Sequence, residues 1–275
     1  MMQAGLAAAG DVAVLKSLWR TCFGDEEAYI DQFFERVFQV EQSFTLRQDG
    51  KLTAMAFYFP LTLSLGKEEK NVAYLYAVCT DPAYRGQGQS TALLEFIAGY
   101  LAIKGYQGLA LVPGTPDLFE FYEKRGYRPA FFNQVTTLTD IPLAEGKVAR
   151  AEGHEYNAVR EKLLEDTSYV RYSDGLLAYQ RVLCRQNGGD LTAFTDTGER
   201  FGCAALEYVA ESRVLIKELI WPGDLAEAVA ILKPHFPAAT YVVRSPGGTH
   251  PFGMYRSLEL EDEGGDGLYL GFAFD

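Results

Sequence analysis

Residues 78 to 97 read VCTDPAYRGQGQSTALLEFI: a β-rich apolar run meets Asp81-Pro82, then Arg85, then Gly86 and Gly88 around Gln87, and then apolar residues at helical spacing. No other stretch constrains the fold as much, because it demands a strand, a tight loop and a helix start in immediate succession. The first turn of a helix leaves backbone N–H groups without intrahelical partners, and the helix dipole adds positive potential there. Glycines let an oxygen-rich ligand reach those amides with no Cβ in the way. Arg85 contributes a planar cation suited to phosphate, and Ser90 and Thr91 place hydroxyls in the first turn. A diphosphate is the expected guest. The pattern is neither G-x-G-x-x-G nor G-x-x-x-x-G-K-[ST]. Glycines before a helix also serve as a plain strand-to-helix turn, so the flanking sequence has to decide between the two.

Upstream, apolar residues at helical spacing (Val14, Leu15, Leu18, Trp19, then Ile30, Phe33, Phe34, Val37) are broken at Gly24-Asp25 and predict a helix pair. Asp49-Gly50 centres the strongest hairpin signal in the chain. The helix starting near Thr91 is followed by the short apolar strand GLALV, a loop from Pro113 to Pro116, the amphipathic helix DLFEFYEKRGY closed by Gly126, and the strand QVTTLTDIPLA. The second half repeats this order from the hairpin onward: two strands around Thr197-Gly198, the strand RVLIKELIWP, a helix from Asp224 to Leu232, and TYVVRSPGG where the first half has GLALVPGTP. After Pro222, however, the second copy has GDLAEA and no R-G-x-G. The fold class expected is α/β (α+β): two similar units with mixed central sheets flanked by helices, divided as 1–145 and 146–275, the second unit lacking the phosphate loop.

Composition narrows the function classes. A formal net charge of −12 repels both nucleic-acid phosphates and acidic lipid, which argues against those partners. The four cysteines contain no C-x-x-C pair and the three histidines are far apart in sequence, so no metal site is expected. With no disulfide framework, no basic leader and no long apolar run, a soluble cytoplasmic protein is expected.

The run V-x-T-x-P-x-x-R-G-Q-G from Val78 to Gly88, followed by FYEKRGY from Phe121 to Tyr127, resembles the GNAT superfamily of acyl-CoA-dependent N-acetyltransferases. The first piece is similar to that family's coenzyme A pyrophosphate motif, with Ser90 where Gly or Ala is usual; the second is similar to its tyrosine helix, with Thr115 where many members have Asn. The repeat further resembles the tandem architecture of the enhanced-intracellular-survival acetyltransferases, without the sterol-carrier-like domain that those carry at the C-terminus. What the resemblance implies is acetyl-CoA as cosubstrate and a binding site made of Val78, Cys79, Thr80, Arg85, Gly86, Gln87, Gly88, Gln89, Ser90 and Thr91.

It also implies a mechanism. The strand ending at Val78 to Thr80 would splay from its neighbour and pair with the pantetheine arm, one amide polarising the thioester carbonyl. Tyr122 would be the general acid that protonates the departing thiolate, while Cys79 reads as a small buried hydrophobe. No base is evident: the central strand carries Tyr74 and Tyr76, Glu68 and Glu69 lie in what reads as a solvated turn, and Asp275 with the terminal carboxylate is a further candidate by analogy with some tandem relatives. Tyr255 in GMYRSL resembles a vestige of the tyrosine helix. The acceptor expected is a primary amine on a small molecule or peptide, cationic if the acidic second half walls the pocket. A non-catalytic acyl-CoA-binding or regulatory protein is the alternative, and an aminoacyl-transferase using charged transfer RNA fits the acidic composition less well.

Overall fold

Asp49 and Gly50 both take positive φ, 51° and 84°, which is what a two-residue hairpin loop needs to match the strand twist. The turn joins two of the strands of a mixed α/β fold seen in the computed structural model, which describes residues 1–259 and 267–274. In chain order the first elements are β1 (Met2–Leu6), α1 (Val12–Phe23), α2 (Glu27–Arg36), β2 (Ser43–Gln48), β3 (Lys51–Leu65), β4 (Glu68–Thr80), α3 (Gln89–Ile103), β5 (Gly108–Leu111), α4 (Asp117–Glu123) and β6 (Arg128–Thr139). There follow β7 (Gly146–Arg150), α5 (Gly153–Leu163), β8 (Tyr169–Arg171), α6 (Asp174–Gln186), β9 (Asp190–Asp196), β10 (Phe201–Ala210), β11 (Arg213–Ile220), α7 (Leu225–Leu232), β12 (Thr240–Pro246) and β13 (His250–Ser257). The helix pair, three strands, helix and strand of the first half thus recur as α5, α6, β9, β10, β11, α7 and β12.

Residue contacts divide the chain into two compact units, and not at 145. The first comprises Met1–Leu61, Lys70–Arg128 and the stretch from Met254 to 259; the second comprises Thr62–Glu69, Pro129–Gly253 and 267–274. Each unit therefore takes its last strand from the other half of the sequence. In the first, Met254–Ser257 of β13 pair antiparallel with Leu111–Gly108 of β5. In the second, β6 pairs antiparallel with β12, Asn133 opposite Pro246 and Thr139 opposite Thr240.

This arrangement corrects the expectation for GMYRSL. It is strand, not helix, and the second half passes from β12 to β13 through Gly247-Gly248 with no counterpart of α4. Tyr255 is buried over Gly108: an added Cβ there would lie 2.3 Å from the Tyr255 ring. Gly108→Ala is expected to cost about 1–3 kcal/mol through this overlap, read as a lowered urea midpoint with unchanged slope. The polar junction after 145 also holds a strand, β7, which pairs with β9.

One face of the first sheet carries α3 and α4 on an aliphatic core of Ala73, Leu75, Leu93, Leu94, Ile97 and Leu109, joined by Tyr122 and Tyr127. Tyr74 and Tyr76, at the alternate positions of β4, meet aromatic residues of the helix pair and β3. Trp19, on α1, lies 4.9 Å from Phe33 and 5.6 Å from Tyr76 between ring centroids. Burying aromatics of this size contributes about 2–3 kcal/mol each and holds α1 and α2 to the sheet.

Candidate active site

Strand β4 runs in parallel register with β5 only from Val72 to Tyr74, opposite Gly108 to Ala110. Three residues further on, Ala77 has φ of 48°, a left-handed conformation that a non-glycine residue adopts at a cost of about 1–2 kcal/mol. Such a residue inside a strand kinks it and turns its peptide groups away from regular pairing. Val78 follows half-buried, with Cys79 and Thr80 buried.

The loop is then tied down atom by atom. Asp81 accepts from the Ala83 amide at 2.9 Å and caps a short turn at Pro82–Tyr84. Arg85, exposed, donates from Nε to the Thr80 carbonyl at 3.1 Å, and Thr80 Oγ1 shares a 2.8 Å hydrogen bond with Ser90 Oγ in the first turn of α3. Gly86 and Gly88 have φ of 74° and 78°, and a Cβ on either would stand in open space. Glycine is therefore required by backbone conformation, and the space above it is open to a ligand. Gly88 caps α3 without a side-chain hydrogen bond. No side chain competes at that cap for the amides that begin the helix.

Gln89 turns its side chain away from the loop. It is buried and donates to Gln48, so only its backbone faces the loop. Its helical spacing with Leu93 and Ile97 was the available signal. The side chain of Gln87 is exposed and reaches back to the Ala83 carbonyl at 3.5 Å.

Tyr122 sits on α4, 7% exposed, its phenol pushed up to about 12 by burial while the nearby Arg125 cation pulls the other way. Arg125 itself was not singled out by sequence. Its guanidinium lies 3.5 Å over the Phe121 ring and donates to Thr91 Oγ1 at 3.0 and 2.7 Å, so α4 is fastened to the first turn of α3. The only sequence signal was its spacing, three residues after Tyr122 and four after Phe121. Arg125→Gln is expected to lower stability by about 1–2 kcal/mol, since it unfastens α4 from α3, read as a lowered urea midpoint.

The candidate bases fare differently. Glu69 is exposed and paired with Arg171 at 2.6 Å in the second unit, and Glu68 is exposed. Asp275 lies outside the described residues. Tyr76 shares a 3.1 Å hydrogen bond with Tyr29. Among the described residues no cluster of metal-ligating side chains occurs, and no helix is long and apolar enough to cross a membrane.

The kinked strand, the glycine loop and the helix that carries Tyr122 all lie within one stretch that a family model matches. Residues 6–130 match an acetyltransferase (GNAT) domain. No curated protein sequence matches the chain significantly. Among solved structures, the GNAT-matching chain is similar to a probable N-acyltransferase from Enterococcus faecalis (TM-score 0.72, 16% identity, 95% of this chain and 74% of that one). A GCN5-related N-acetyltransferase from Anabaena variabilis aligns at TM-score 0.70 with 16% identity over 94% and 74% of the two chains. Eis1 from Mycobacterium abscessus aligns at 0.66 with 12% identity over 95% and 74%. At these identities the likeness is one of fold.

The second unit repeats the order of a helix pair, three strands, a helix and a strand, and its helix start is occluded. Asp224 caps α7, accepting from the Ala226 amide at 2.7 Å, and Glu227 adds a second carboxylate in the first turn. A Cβ on Gly223 would lie 2.7 Å from both Arg200 and Trp221. Where α3 leaves its first amides open, α7 fills the place with acidic side chains.

Proposed function

We propose that the chain transfers an acetyl group from acetyl-CoA to a primary amine, with the first unit supplying the acetyl-CoA site and the second forming a degenerate GNAT-like copy. The observation that carries this reading is the uncapped start of α3 behind two left-handed glycines, with Arg85 beside it. Amides of Gly86, Gly88, Gln89, Ser90 and Thr91, together with Arg85, hold the pyrophosphate. Past Tyr74, backbone groups of β4 run alongside the pantetheine, and an amide near Val78, turned by the Ala77 kink, donates to the thioester oxygen as it gains charge. Loss of such a donor costs about 100-fold or more in comparable sites.

The neutral amine attacks the carbonyl carbon directly, the C–S bond breaks, and Tyr122 passes its proton to the departing thiolate. Burial keeps that phenol protonated well above neutral pH, so the acid is always loaded. Acetyl-CoA is the only cosubstrate and no metal takes part. The acidic balance of residues 141–275, 13 Lys and Arg against 21 Asp and Glu, favours a cationic acceptor over a nucleic acid or an anionic membrane, and a cytoplasmic setting suits free thiols and this cosubstrate.

A second reading, a non-catalytic acyl-CoA sensor, is favoured by the side chains that β4 presents beside its kink: Tyr74 and Tyr76, where a carboxylate would activate the amine. Acetyl-CoA turnover against a panel of amines, followed as free thiol release, decides between them. Turnover lost in Tyr122→Phe supports the enzyme; binding without turnover in either protein supports the sensor.

A further inference from the structure

Two cysteines whose thiols the proposed acetyl transfer does not use lie where β4 runs into the glycine loop. Cys22, in the last turn of α1, is half-buried and donates to the Thr80 carbonyl at 3.5 Å. That carbonyl also accepts from Arg85 at 3.1 Å, so the thiol and the loop's cation converge on one oxygen. Cys79, the residue before Thr80, is buried, and its thiol is the neighbour that acts most strongly on Cys22.

The charged groups facing Cys22 are Arg85 and Asp81. The neighbouring Cys79 thiol lowers its pKa most and Arg85 lowers it further, outweighing burial and Asp81. Cys79 moves the other way, raised by its neighbour Cys22 and by burial. One thiol of the pair is thus accessible and prone to ionise, and the other keeps its proton. Cys184 and Cys203 are wholly buried, with burial pushing Cys184 up to about 12 and Cys203 higher still, so they serve as internal controls.

We propose that Cys22 and Cys79 form a peroxide-oxidisable dithiol whose disulfide form controls the phosphate loop. The Cys22 thiolate attacks a peroxide oxygen, the O–O bond breaks, hydroxide leaves, and the sulfur becomes a sulfenic acid. The Cys79 sulfur then displaces the sulfenic hydroxyl: an S–S bond forms, the S–O bond breaks, and the Cys79 proton leaves with the hydroxyl as water. A small-molecule dithiol reverses the sequence, itself becoming oxidised. The new bond ties the last turn of α1 to the residue before Thr80, whose hydroxyl meets Ser90 in the first turn of α3, so the strain falls on the anion site. Only this last consequence rests on reading the loop as the acetyl-CoA site.

Purified full-length protein is treated with hydrogen peroxide, then examined by intact mass, peptide mapping and acetyl-CoA calorimetry. The expected result is a loss of about 2 Da mapped to a Cys22–Cys79 crosslink, a fall of about tenfold or more in acetyl-CoA affinity, and recovery of both with dithiothreitol. Cys22→Ser removes the crosslink and the peroxide sensitivity, and Cys79→Ala leaves a sulfenic acid on Cys22 that dimedone traps. Peroxide treatment without the crosslink overturns the pair, and a crosslink with unchanged affinity overturns the control. A crosslink in a protein that binds no acetyl-CoA in the reduced form keeps the thiol pair, removes its control of the loop, and refutes the acetyl-CoA reading.

Discussion

Gly88→Val is expected to lower acetyl-CoA affinity by about 100-fold, because it fails on two independent counts. Position 88 has φ of 78°, and a residue with a Cβ pays about 1–2 kcal/mol to stay there, more when β-branched. Relaxing that strain swings the peptide that begins α3, and with it the amides that meet the phosphate. If the backbone holds instead, the valine methyls occupy the open space over the loop. Either outcome is expected to remove about 2.7 kcal/mol of binding, which is that hundredfold change. Calorimetry with acetyl-CoA measures it, and circular dichroism shows whether the fold survives. A variant that binds as tightly as the natural sequence would mean that the loop is only a turn.

Tyr122→Phe is expected to lower kcat by about 100-fold or more while leaving acetyl-CoA affinity within about twofold. The substitution removes one oxygen from a buried ring that packs at 5.5 Å from Tyr127, so shape is conserved and chemistry is not. Burial holds the phenol up near 12, and the acid acts in its protonated form. Raising the pH therefore leaves this group active up to about pH 10, and no alkaline loss of rate below that point is owed to it. The rate–pH profile of the natural protein checks the sign: an alkaline limb between pH 8 and 9 that vanishes in the phenylalanine variant would assign the phenol a far lower pKa than its burial allows.

Local chemistry was legible in the sequence, and long-range exchange was not. Asp49-Gly50, the helix start beside Asp224 and the turn at Gly86 and Gly88 each use residues whose conformational preferences act within a few positions, and each stands within a residue of where it is expected. The tyrosine helix was legible for the same reason. Nothing in Tyr76-Ala77-Val78 announces the left-handed turn at Ala77, which the surrounding sheet imposes against the residue's own preference. The bond from Arg125 to Thr91 spans 34 positions and depends on two helices meeting at one end. The exchange of β6 and β13 between units is a matter of partner choice, and strand partners are set by tertiary packing. That is why GMYRSL, matched by position in the repeat, was read as a lost helix: a repeat in sequence carries no record of which unit its last strand completes.

The measurement that tests the central claim most directly is a calorimetric titration of acetyl-CoA into the natural protein, read for both affinity and stoichiometry. The expected result is one site per chain with a Kd on the order of micromolar, because α3 offers uncapped amides beside Arg85 while α7 is closed by Asp224 and Glu227. Absence of binding, or two equivalent sites per chain, would contradict the account.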